Sequence, residues 1–131
     1  MLRIKSVSSP IDSAGDGLRI LASRNRGHGL KKSRYDVWMP NLGPSEKLLR
    51  YFRSGETREE RWPEFKRRYE KELYLGAGVD KDNVNIKNHG QKFTLRLLQR
   101  LAAKQNVTIM CHCEDDRYCH RRLLRDLIRR A

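Results

Sequence analysis

A β-branched apolar run that passes through a short polar loop into an amphipathic helix does most to restrict what this chain can become. Val107, Thr108, Ile109 and Met110 read as a buried strand. From Leu123 the apolar residues fall at 123, 124, 127 and 128, a helical stripe. Just upstream, Gln91 to Gln105 reads as an amphipathic helix with Leu97, Leu98, Leu101 and Ala102 turned inward. Helix, strand, loop and helix in that order make a βα unit preceded by a crossover helix. The expected fold is therefore α/β in three layers, with a small, mainly parallel sheet flanked by helices and Val107 to Cys111 as a central strand.

The 131 residues are about one domain's worth of chain and are read as a single α/β domain over 1–131. Leu2 to Val7 and Leu18 to Ala22 read as further strands, and Tyr35 to Met39 as a short strand or packed segment. Between the last two lies a basic loop, Ser23 to Arg34, whose Gly27 and Gly29 would let backbone approach a ligand. The loop matches neither common phosphate-binding glycine pattern, and no cofactor is named by the sequence. Ser45 reads as the N-cap of a short helix bearing Leu48, Leu49 and Phe52. Trp62-Pro63 reads as the opening of a longer helix, with Pro63 in its first turn and Trp62, Phe65, Tyr69 and Leu73 as its apolar stripe. Gly76 to Gly78 is expected to stop that helix, and Val79 to Gly90 to form a polar loop.

The chain is strongly basic, with formal net charge +13. Residues 1–34 hold eight Lys/Arg against two acids, and residues 117–131 six against one. If those ends are neighbours, they form one basic face suited to an anionic partner such as a nucleotide or nucleic acid. A solvated, charge-rich surface explains the same composition. No apolar run approaches the ~20 residues of a membrane span, so no membrane partner is expected. Three cysteines within nine positions argue against a secreted disulfide framework, and a cytoplasmic protein with reduced thiols fits better.

All three cysteines sit between the strand and the last helix, in C-H-C-E-D-D-R-Y-C-H-R. That corner is where open α/β folds place ligands. One reading is an anion- or phosphate-binding cleft, open to solvent. Arg24, Arg117 and Arg121 would hold the ligand, with Cys111 or Cys119 as nucleophile and His120 as acid or base. Cys111 to Arg117 also fits C-x₅-R, but Glu114, Asp115 and Asp116 would repel a phosphate held there. The alternative is a structural or catalytic zinc site of Cys111, Cys113, Cys119 and His120. Against it, Cys119 and His120 would be adjacent on the helix's first turn and so point about 100° apart. Buried cysteines and a core histidine account for the residues singly. Turnover is left open.

The same residues carry a family resemblance. Cys111, Cys119, His120 and Arg121 resemble the Cys-x-Glu and later Cys-His-Arg pattern of the domain of unknown function 488 family. Here Cys113 stands two after Cys111, and Glu114 is displaced by one. Upstream, Arg19-Ile20-Leu21, Arg24, Gly29, Lys31-Lys32, Asp36-Val37-Trp38 and Pro44-Ser45 look like the first half of the family's short, single-domain branch. The resemblance implies a compact α/β domain in which Arg24 and the Cys-His-Arg turn face one cleft. It implies no particular reaction.

Overall fold

The computed structural model describes residues 1–54, 57–75, 90–113 and 117–131. In chain order the elements are β1 (Leu2–Ser6), α1 (Ser13–Asp16), β2 (Leu18–Leu21), β3 (Val37–Trp38), α2 (Glu46–Arg53), α3 (Arg58–Tyr74), α4 (Lys92–Lys104), β4 (Val107–Cys111) and α5 (His120–Arg130). Short 3₁₀ turns at Lys32–Arg34 and Pro40–Leu42 flank β3. The four strands form one parallel sheet in the order β1-β4-β2-β3. β4 is central, as its unbroken apolar run requires, and all five of its residues are buried. β3 is a two-residue edge strand with both side chains exposed.

Side-chain alternation along the strands assigns the two faces. Ile20, Val107 and Ile109 point into the main core, shared with buried residues of α2, α3, α4 and α5. Val7, Leu21 and Met110 point the other way, under Leu30 of the first loop and Tyr35 just beyond it. α1 covers that second face too. The Thr108 hydroxyl donates to the Asp16 carbonyl, and Lys5 Nζ lies 2.7 Å from the Asp16 carboxylate. The result is a three-layer α/β arrangement with one thick helical layer and one thin layer of helix α1 and loop.

Two helix readings are corrected. α3 begins five residues before Pro63, because Thr57 caps it by accepting the Glu60 N–H. Thr57 and Glu60 have the spacing of a capping box, a signal the Trp62-Pro63 reading overlooked. In α4, Leu95 and Leu98 are the buried residues, Leu101 and Ala102 are half-buried, and Leu97 is 55% exposed. The stripe runs through 95, 98 and 102, which leaves position 97 on the outer side. Ser45 caps α2 as expected, accepting the Leu48 N–H. Gly76 to Gly78 and most of the expected polar loop lie outside the described residues.

The strand residues Arg3, Lys5 and Arg19 do not share a face with the outer arginines of α5. Arg3, Lys5 and Arg19 alternate with the main-core strand residues and so belong to the thin-layer side. α5, with its outer arginines, packs on the opposite side. The sheet lies between them. Among the described residues, no helix is long and apolar enough to cross a membrane.

Candidate functional site

The sulfur cluster is built where β4 ends. Cys111 shares the facing of Val107 and Ile109, toward the helices. Cys119 is the N-cap of α5, with φ −125° and ψ 138°. It is extended backbone outside the helix, and only His120 begins the helix. The two adjacent side chains therefore converge, against the 100° divergence that two helical neighbours would show. Cys119 Sγ lies 2.9 Å from Cys111 Sγ and 4.0 Å from His120 Nδ1. The ligating atoms of Cys111, Cys119 and His120 all lie within 4.8 Å of one another. Cys113, half-buried and two residues after Cys111, lies outside that group of three.

His120 is held from its far side. Its Nε2 meets the Ala22 carbonyl oxygen at 2.5 Å. A carbonyl only accepts, so Nε2 carries the hydrogen and donates, and Nδ1 faces Cys119 without one. Burial pushes the imidazole pKa down, which keeps the ring neutral. Arg121 Nη1 donates to Cys111 Sγ at 3.2 Å and to the Cys113 carbonyl.

The three thiols titrate as a group. Hydrogen bonding to Cys113 raises Cys111, and hydrogen bonding to Cys111 and Cys113 raises Cys119. The same bonds, from Cys111 first and then Cys119, pull Cys113 down. Cys113 is the one sulfur of the three that is not fully buried.

The expected open corner is closed. Cys111, Cys119 and Arg121 are each 1% exposed and His120 is 7% exposed. Hydrocarbon and the aromatic stripe of α3 fill the space, with Tyr69 edge-on to His120 at 5.7 Å. Arg121 is a clamp on the sulfurs from within. Arg117 is exposed on the surface, and Glu114, Asp115 and Asp116 lie outside the described residues. Gly27 does approach another group closely, but that group is protein. A Cβ there would meet the His112 ring at 2.7 Å, and φ is +94°. With the Asn25 carbonyl 3.3 Å from His112 Nε2, this contact pins the first loop to the end of β4.

Arg24 makes its hydrogen bonds to backbone and not to the sulfurs. Its Nε and Nη2 donate to the Pro44 and Gly43 carbonyls. The Tyr69 hydroxyl donates to the neighbouring Leu42 carbonyl at 2.6 Å. Arg24 lines a hollow of about 500 Å³ with Ser45 and Lys47 at the start of α2, Arg67, Arg68, Lys71 and Glu72 of α3, and Leu75 just past its end. Five cationic side chains thus share the hollow with one carboxylate. That carboxylate is already engaged, accepting the Ser45 N–H at 2.9 Å and its hydroxyl. Sequence reasoning missed Lys47, Arg67, Arg68 and Lys71, since a charged helix face reads as solvated surface. The available signal was the placing of Arg67 and Arg68 four and three residues before Lys71, on one side of a helix.

No curated protein and no solved structure matches the chain. One family does match, and it takes in both the strand-and-loop half and the Cys-His-Arg turn: over residues 2–131 the chain belongs to DUF488-N3a, the active DUF488-N3 subclade.

Proposed function

We propose that this protein binds a phosphate-bearing ligand of the nucleotide or nucleic-acid class in the hollow beside Arg24. The observation that carries the reading is the imbalance of the lining: Arg24, Lys47, Arg68 and Lys71, with Arg67 already paired to Glu64 at 2.6 Å, against Glu72. A phosphate placed there meets several cations at once, and the N-terminal end of α2 adds its dipole. The position also fits, because Arg24 follows the carboxyl end of a parallel strand, the edge at which open α/β sheets take ligands. The anion site expected at the Cys-His-Arg turn thus moves to the neighbouring hollow, keeping Arg24. Three free thiols suit the reducing cytoplasm, where we place the protein.

The test titrates the full chain with a fluorescently labelled single-stranded oligonucleotide and, separately, with ATP. Salt is varied from about 50 to about 200 mM. The expected result is binding that weakens steeply as salt rises. Lys47→Glu with Lys71→Glu should weaken it by more than tenfold, whereas Arg129→Glu, remote on α5, should change it little. The two probes separate nucleic acid from free nucleotide. If neither binds at the lowest salt, or if the double variant binds like the parent, the reading fails.

A further inference from the structure

The phosphate reading makes no use of the sulfur and imidazole cluster, whose donor set is that of a metal site. We propose that Cys111, Cys113, Cys119 and His120 bind one zinc ion in a closed site that ties the end of β4 to the start of α5.

Zinc takes four thiolate or imidazole ligands in tetrahedral sites, and three sulfurs with one ring nitrogen complete such a set. Cys111, Cys119 and His120 already bring their ligating atoms within 4.8 Å of one another. Cys113, two residues beyond Cys111 in the chain and the least buried of the three cysteines, supplies the fourth ligand by closing onto this group as the ion enters. The backbone supports this convergence. Cys111 ends β4 facing the helices, and the extended conformation of Cys119 turns its sulfur back toward it.

The surroundings match as well. A metal-bound histidine ordinarily donates its other ring N–H to a carbonyl or carboxylate, which fixes its tautomer. His120 does this to the Ala22 carbonyl and leaves Nδ1 toward Cys119. Three thiolates around a divalent ion carry one net negative charge. The Arg121 guanidinium, buried and donating to Cys111 Sγ, offsets it. In a tetrahedral zinc site with bonds of about 2.3 Å, sulfurs stand about 3.8 Å apart. Cys111 and Cys119, now 2.9 Å apart, must therefore separate on uptake, and the thiol protons pass to solvent as the metal binds. With four protein ligands no position is left for substrate, so the ion is structural.

The experiment uses the full chain, reduced, stripped of metal and titrated with cobalt(II) as a spectroscopic stand-in. One ion per chain is expected, with thiolate-to-cobalt charge transfer in the near ultraviolet and the strong visible bands of tetrahedral cobalt. Zinc should displace it. A disulfide-exchange reagent should count three thiols without metal and react far more slowly after zinc is added. Cys113→Ser, at the least buried ligand, should weaken binding at least as much as the roughly tenfold to hundredfold that outer-shell changes cost. A weak six-coordinate cobalt spectrum, no spectrum with excess metal, or unchanged thiol reactivity after zinc would each overturn the proposal.

Discussion

The imidazole of His120 and the carbonyl oxygen of Ala22 are joined by a hydrogen bond that links the first residue of α5 to the end of β2, across β4. The bond fixes both the ring's tautomer and the angle at which α5 leaves the sheet. His120→Ala removes a buried ring and leaves the carbonyl unpaired in a dry setting. The expected loss is about 3 kcal/mol of unfolding free energy, read by urea denaturation of the reduced, metal-free chain. A loss below about 1 kcal/mol would mean that the ring is not a structural tie.

α3 carries Pro63 as its sixth residue, exposed on the helix surface. A proline there lacks the N–H that would bond the Glu59 carbonyl, and its ring crowds that same carbonyl. Pro63→Ala restores the bond without touching the core. Stability should rise by about 1 to 3 kcal/mol, and Tm by several degrees. A scanning calorimetry trace with Tm unchanged or lowered would show that α3 has already adapted to its proline.

The register of α4 is tested by two neighbouring leucines. Leu98 is fully buried in the main core, whereas Leu97 is 55% exposed. Leu98→Ala should cost about 3 kcal/mol. Leu97→Lys should stay within about 0.5 kcal/mol. Equal costs in the same urea experiment would return both residues to the inward stripe.

The pair also shows what the sequence could and could not reveal. Val107 to Cys111 was legible as a central strand because its β-branched run fits nothing else, and Ser45 because its side chain caps locally. Leu95, Leu97 and Leu98 crowd about one turn of α4. Periodicity alone does not say which of them meets the sheet, since docking decides it. The site turned on a still finer point. Cys119 as a helical residue diverges from His120, and Cys119 as an extended cap converges on it, yet the two differ by a single residue of helix boundary. The basic hollow depended on bringing Arg24, Lys47 and Lys71 together from three elements, which no local pattern encodes.

The thin layer should be the acid-sensitive one. Burial pushes the Asp16 carboxyl up, but hydrogen bonds from Lys5 and the Asp12 N–H, with the charges of Lys5 and Arg19, bring it below the usual carboxylate value. Asp36 is lowered by hydrogen bonds from the Arg19 side chain and N–H. Both folded pKa values lie below the unfolded one, so the unfolded chain takes up protons first as pH falls. The stability these groups contribute is complete above the unfolded value of about 3.9 and is lost as pH drops through the lower folded values. Unfolding free energy from urea titrations should therefore be insensitive to these two groups above about pH 5 and decline below about pH 4. Asp16→Asn should start less stable at neutral pH, because Lys5 loses its partner, and should show a shallower acid decline than the parent. An equally steep decline in the variant would assign the acid sensitivity to other carboxylates.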